Sequence, residues 1–286
     1  MAIKVQYPGV ARSIDSDVAN VGALIKMSGM LPKGFSLEPY LDEAARQLHE
    51  ETDYLREAEC LNRFRDLLVG TDGFKLPEVY SDWSTDCILA MSFVAGRSIE
   101  EAETADQEQR DLIMQRLIDL TLRELFDFKL MQSDPNFANY QYDPETGAII
   151  LLDFGATRKL SDNISTLYGA IFKAGLGGDR KMVEELCVTL GFVDENTSEK
   201  HLAQVFELVH MAFDGLRVPV FDFSDMTLTR EMQIKGEALA RDGFIPPVVP
   251  MEVLYLQRKF AGMFLLGARL RAKLPVADMI HAHLGR

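Results

Sequence analysis

Two carboxylates and one amide, held at fixed spacing, constrain this chain more than any other feature. Gln132-Ser133-Asp134-Pro135-Asn136-Phe137-Ala138-Asn139 is a polar, turn-forming stretch, and Leu151-Leu152-Asp153-Phe154-Gly155 closes a short apolar run. Asp134 and Asn139 are five positions apart, and Asp134 and Asp153 are nineteen. Nineteen residues suffice for a loop and one tight hairpin that returns the chain beside its own start. That return is needed if one aspartate is to reach a hydroxyl while an asparagine and a second aspartate converge on a Mg2+ bridging nucleotide phosphates. Singly, Asp134 and Asn139 fit an Asx-rich surface turn, and Asp153 fits a strand-end cap. Together, in this order, they point to phosphoryl transfer.

Such a site also needs a cation for the phosphates and a carboxylate to hold it. Lys4 lies in the alternating run Ala2-Ile3-Lys4-Val5-Gln6, a strand pattern that matches the strand lysine of kinases. The carboxylate is expected in 37–68, where Leu41, Ala44, Leu48, Leu55, Leu61, Phe64 and Leu68 recur at helical spacing. That pattern predicts one long amphipathic helix or two in succession. It puts Glu51 on the apolar stripe, where an unpaired acid is costly, and Asp53 and Glu57 on the opposite, solvated face.

The remaining organisation follows from composition and punctuation. Of 286 residues, 47% are apolar and 26% charged, which excludes disordered and collagen-like classes. A net charge of −14 repels phosphate backbones, so no nucleic-acid partner is expected. Cys60, Cys87 and Cys187 are far apart, forming neither a disulfide framework nor a zinc site. The apolar stretch 260–268 is shorter than the roughly 20 residues of a membrane span. No basic segment followed by an apolar run opens the chain, so no signal peptide is expected.

After the first strand come a helix over 13–27, a break at Leu31-Pro32-Lys33-Gly34, and a hairpin of strands over 74–80 and 87–94. Beyond Ala95-Gly96-Arg97 the pattern is nearly all helical. Helices are predicted over 106–131, 162–174, 179–190, 197–213, 227–241 and 250–273, with Asp162 and Asp179 as N-caps. An irregular loop at 132–142 and a short strand at 148–153 interrupt them. Gly175-Leu176-Gly177-Gly178 reads as a connector, and His281-Ala282-His283 as a frayed chain end rather than a metal site. The expected fold class is α+β, a strand-bearing part at 1–95 joined to a helical part at 96–286.

Four segments carry a family resemblance: Lys-Val-Gln-Tyr-Pro-Gly-Val at 4–10, Glu-Thr-Asp-Tyr-Leu-Arg-Glu-Ala at 51–58, Gln-Ser-Asp-Pro-Asn-Phe-Ala-Asn at 132–139 and Leu-Leu-Asp-Phe-Gly-Ala-Thr-Arg at 151–158. In this order they resemble the UbiB-type atypical kinase-like family (UbiB/AarF, ADCK-like) over nearly the whole chain, and most its coenzyme Q branch. The resemblance implies a protein-kinase-like two-lobed fold, with a truncated N-lobe at 1–95 and a helical C-lobe at 96–286 carrying the catalytic and Asp-Phe-Gly loops. It implies ATP and Mg2+ as cofactors and a kinase or ATPase activity supporting ubiquinone (coenzyme Q) biosynthesis. Ubiquinone precursors, other coenzyme Q proteins and a peripheral membrane contact are the implied partners. The implied setting is the bacterial cytoplasm or inner-membrane periphery, or the mitochondrial matrix in a eukaryote. By the same resemblance Asp134 is the catalytic loop aspartate, and Lys4 contacts phosphate with Glu57 as its ion-pair partner. Asn139 and Asp153 hold the metal. Glu51 and Asp53 form the family's Glu-x-Asp motif and, with Met91 and Phe93, are assigned to the nucleotide.

Two departures qualify the expectation. The family's Lys-x-Gly-Gln motif and alanine-rich nucleotide loop, which precede the strand lysine, do not occur in these 286 residues. A shortened form with weakened ATP hydrolysis is therefore expected, with a pseudokinase-like scaffold as the alternative. Secondly, the chain reaches a helix start by 162 with no Ala-Pro-Glu segment, which disfavours a peptide acceptor. A small-molecule phosphotransferase of the aminoglycoside-kinase type also uses an Asp-x4-Asn loop, but has no reason to carry Glu51-Thr52-Asp53 or the 4–9 segment.

Overall fold

The helical run between 37 and 68 is two helices, and the break between them decides which carboxylate is buried. In this computed structural model residues 1–29, 31 and 34–285 are described. Helix Glu38–Glu51 ends at Thr52. Helix Tyr54–Leu67 begins under Asp53, whose carboxylate accepts the Arg56 backbone N–H at 3.0 Å. Asp53 leaves helical geometry (φ −94°, ψ 89°), so the second helix starts in a new phase. Its buried face is Tyr54, Glu57, Ala58, Leu61 and Phe64, a stripe of helical period, while Leu48 and Leu55 are exposed. This corrects the expected faces. Glu57, read as solvated, is buried, and Glu51 is only half-buried.

The chain divides into two compact units. One comprises Met1–Ala102 with Gln132–Arg158, the other 103–131 with the chain from 159 onward. The loops bearing Asp134, Asn139 and Asp153 thus belong to the same unit as Lys4 and Glu57. In that unit strand Ala2–Val5 pairs antiparallel with Ile88–Met91, Lys4 opposite Leu89. Helix Val10–Ser28 follows and ends at Gly29 in the left-handed conformation (φ 65°). Pro32 and Lys33, read as helix breakers, lie outside the described residues.

A four-stranded sheet runs in the order Phe74–Lys75, Ile149–Leu151, Tyr140–Tyr142, Arg97–Ser98. The expected hairpin of 74–80 with 87–94 is therefore only partly formed. Phe74 and Lys75 pair parallel with Ile149 and Ile150. Only 78–80 meets 90–92, through Tyr80 N–H to Ala90 O and Ser92 N–H to Glu78 O, both at 2.8 Å. Pro77 between the two pieces has no N–H to continue a ladder. The sheet also corrects the expectation that the chain beyond 95 is nearly all helical, and it converts part of the 132–142 loop into strand.

The second unit is helical, built from Gln107–Arg123, Asp162–Gly177, Arg180–Thr189, Glu199–Leu216, Thr227–Arg241, Met251–Leu270 and Val276–Leu284. The helix expected to reach 131 stops at Arg123, widens into the π-turn Glu124–Phe128, and leaves helical space at Lys129 (φ 48°). Ser161 rather than Asp162 caps the next helix, its hydroxyl accepting Ile164 N–H at 3.3 Å, whereas Asp179 caps as expected. Gly175 to Gly178 are not a connector but the end of that helix, Gly178 turning left-handed (φ 78°). The terminal histidines lie in Val276–Leu284, and buried His283 places Nε2 3.0 Å from Asp119 Oδ1. Among the described residues no helix is long and apolar enough to cross a membrane.

One apolar cluster joins Leu125, Ile164, Tyr168, Ile171, Val183 and Leu256. Helix Met251–Leu270 separates buried Leu256, 0% exposed, from Leu265, 58% exposed. Leu256→Ala is expected to cost about 2–5 kcal/mol in denaturant unfolding, through lost burial and a cavity. Leu265→Ala should stay within about 0.5 kcal/mol. Comparable losses in the two variants would overturn this assignment of the helix faces.

Candidate active site

Strand alternation turns Ala2 and Lys4 inward and Ile3 and Val5 outward. The Lys4 ammonium lies 3.0 and 2.8 Å from the two carboxylate oxygens of Glu57 and 3.0 Å from Asp153 Oδ2, over the Tyr54 ring at 5.1 Å. Glu57 is 1% exposed, while the side chains of Lys4 and Asp153 keep 34% and 35%. Burial alone would lower the Lys4 pKa, but Asp153 and Glu57 outweigh it and raise it above the ordinary 10.5. Glu57 is pushed up by burial and by the Asp153 charge, against Lys4 and the Phe154 N–H, which hold it down.

The hairpin Tyr140–Tyr142 with Ile149–Leu151 brings the other polar groups to its end. Leu152 N–H donates to Asn139 O at 3.1 Å, so Asn139 sits one residue from the level of Asp153. Asn139 Nδ2 donates to Asp134 Oδ2 at 2.7 Å, and Asp134 Oδ1 accepts Asn136 N–H at 3.3 Å. The Asp134 segment is fixed from the other side by Ser133, whose N–H and hydroxyl both donate to Ala156 O. Asp153 Oδ1 accepts Gly155 N–H at 2.9 Å. A Cβ on Gly155 would stand 3.3 Å from that oxygen, a tight contact. Phe154 packs on Phe64, ring centroids 5.0 Å apart.

The remaining expected residues are placed less centrally. Glu51 accepts from Gln47 at 2.7 Å and lies against Gly155. Asp53 is engaged as a helix cap. Met91 is buried with Tyr54, Ala58 and Leu89, and Phe93 is exposed.

Sequence reasoning missed Arg56. Its guanidinium donates to Gly155 O at 2.7 Å and to Thr157 O, clamping the backbone just after Asp153. Glu50 stands between Arg56, at 3.4 Å, and Arg158. Arg56 lies within the 51–58 motif, but its partners are carbonyls that no sequence pattern marks.

Mg2+ takes hard oxygen donors and retains several waters. Asp153 offers carboxylate oxygens. Asn139, its Nδ2 committed to Asp134, keeps its amide oxygen. Among the described residues no group of three or more His, Cys, Asp or Glu forms a metal cage. An open carboxylate and amide set fits a hard cation such as Mg2+ held jointly with phosphates, and does not fit a thiolate or imidazole metal site.

Lys4→Met would leave Glu57 and Asp153 facing each other without a cation. The expected loss is about 2 kcal/mol at neutral pH, below the roughly 3–5 of fully buried pairs because two of the three groups touch water. Glu57 already has a raised pKa, and losing Lys4 raises it further. The penalty belongs to the ionised form, so it should shrink as pH falls from the raised Glu57 value and be gone below the ordinary carboxylate range, about 4–5. Urea unfolding at both pH values measures it; a pH-independent loss would show that the charges are not its cause.

Residues 1–187 match the ABC1 atypical kinase-like domain. The chain is 37% identical over 98% of its length to the mitochondrial atypical kinase COQ8B of Danio rerio, covering 45% of that protein. It is 38% identical to COQ8B of Rattus norvegicus, covering 98% of the chain and 53% of the relative. It is 35% identical to mitochondrial COQ8 of Saccharomyces cerevisiae, covering 98% and 56%. The chain thus spans about half the length of these curated relatives. The solved complex of Rv3197 with erythromycin from Mycobacterium tuberculosis aligns over 97% of this chain and 69% of that one, with a TM-score of 0.73 at 19% identity, a likeness of fold. The chain has a kinase-like α+β fold and belongs to the ABC1 atypical kinase-like family.

Proposed function

We propose that this chain binds Mg-ATP around Lys4 and acts as an atypical kinase or ATPase supporting coenzyme Q biosynthesis. The observation that carries the reading is the contact of Lys4 with both Glu57 and Asp153, in the same unit as the Asp134–Asn139 pair. In this reading Lys4 takes phosphate oxygens while Glu57 keeps it in place. Asn139 and Asp153 hold Mg2+, which when bound neutralises charge on the phosphates. Asp134 accepts the proton of the attacking hydroxyl or water, its two oxygens oriented by Asn139 and Asn136. Glu51, Asp53, Met91 and Phe93 are assigned to the nucleotide side. Lys4 can serve phosphate, and Asp153 the metal, only when their 3.0 Å contact opens.

The short path from Gly155 to the helix at Asp162 favours a small acceptor or water over an extended peptide. The mitochondrial names of the relatives support a mitochondrial setting, the matrix in a eukaryote, with the cytoplasm or the inner-membrane periphery as the setting if the chain is bacterial. Ubiquinone precursors and other coenzyme Q proteins are the partners this role requires.

Thermal stability followed during Mg-ATP titration tests the metal assignment. Asp153→Asn removes a full charge, so apparent affinity should fall at least tenfold, about 1.4 kcal/mol. Equal stabilisation of variant and parent would remove Asp153 from the metal site. Asp134→Asn should keep the Mg-ATP shift but lower phosphate release by about 10²-fold or more. Undiminished phosphate release from that variant would deny Asp134 the proton.

A further inference from the structure

Six phenylalanines of the second unit, Phe172, Phe213, Phe221, Phe223, Phe260 and Phe264, line a cavity of about 550 Å³. Helices Gln107–Arg123, Asp162–Gly177, Glu199–Leu216, Thr227–Arg241, Met251–Leu270 and Val276–Leu284 all contribute side chains to it. No lining residue is charged, and the polar ones are two threonines, Thr121 and Thr229. The Thr121 hydroxyl donates to Leu117 O at 2.8 Å, which leaves Thr229 as the lining hydroxyl free of that commitment.

The walls are braced. Phe172 meets Phe213 and Phe260 edge-on at centroid distances of 6.3 and 5.8 Å, and Phe223 meets Phe221 and Phe264 at 4.8 and 5.9 Å. Three glycines set how deep the walls sit. A Cβ on Gly175 would stand 2.3 Å from Phe213, one on Gly215 2.2 Å from Leu228, and one on Gly267 2.5 Å from Phe223. Each of these wall side chains occupies a notch that only glycine leaves. The cavity lining is almost wholly apolar, and such a surface is poorly satisfied by water.

We infer that this cavity binds an uncharged, hydrocarbon-rich small molecule, of the class of an aliphatic chain ending in a hydroxyl. The volume falls within the roughly 300–1,000 Å³ of small-molecule sites. The absence of charge from the lining excludes an ionic head group inside, and Thr229 offers one hydrogen bond for a terminal hydroxyl. The inference concerns the second unit alone and does not depend on the reading of the Lys4 site.

The test uses the purified chain and the uncharged fluorophore N-phenyl-1-naphthylamine. Saturable binding is expected, displaced by dodecanol and at least tenfold less effectively by protonated dodecylamine. Ala212→Phe, which adds a ring at the lining, should weaken binding at least tenfold with the circular dichroism unchanged. Ala261→Leu serves the same purpose should the first variant fail to fold. Non-saturable binding, undiminished binding in a folded variant, or equal displacement by the ammonium would each overturn the inference.

Discussion

A carboxylate on the apolar stripe of a helix cannot stay ionised alone, and much of the first unit follows from how Glu57 is satisfied. Its two oxygens take the Lys4 ammonium. That contact fixes the register of strand Ala2–Val5 against Ile88–Met91, because a one-residue slip would turn Lys4 to the outer face. Glu57 also receives the Phe154 N–H, which ties the Asp-Phe-Gly turn to the same helix. From the adjacent helical position Arg56 reaches the carbonyls of Gly155 and Thr157 just beyond that turn. One helix thus holds the strand lysine through one residue and the segment after Asp153 through its neighbour.

The charges support the proposed role of a divalent cation at this place. Lys4 brings one positive charge against the carboxylates of Glu57 and Asp153, a local sum of −1, with Asp134 close by on the hairpin side. In a chain of net charge −14, a bare nucleotide would meet repulsion from the site and from the surface. In the proposed reading, a nucleotide carrying its own Mg2+ would reverse that balance, because the metal would take up the carboxylate that Lys4 does not fully neutralise. The cavity of the second unit obeys the opposite logic. Its lining has no charge to offer, so it selects by exclusion.

What was legible in the sequence was spacing, and what was not was pairing. Asp134, Asn139 and Asp153 could be placed on one returning hairpin because nineteen residues permit little else, and the Tyr140–Leu151 register agrees. The face of Glu57 could not be read, because a single phase was carried across Thr52-Asp53 and the cap resets it. Two-residue strands such as Phe74–Lys75 have no periodicity to detect, and their partner lies seventy-five positions away. Arg56 binds carbonyls, and carbonyls are the same for every sequence. His283 was read as a loose end because its partners, Asp119 and Asp127, are far upstream on another helix and its following turn.

The hydrogen bonds also rank which contact yields first when the Lys4 cluster rearranges. Lys4 makes two contacts to Glu57 and one to Asp153. Glu57 is sealed from water, and leaving it unpaired would cost its full desolvation, whereas Asp153 is one-third open and can exchange a lysine for water or metal. Partner exchange therefore falls to Asp153. Its other oxygen keeps the Gly155 N–H meanwhile, so the carboxylate can change partner while the turn that carries it remains in place under Arg56.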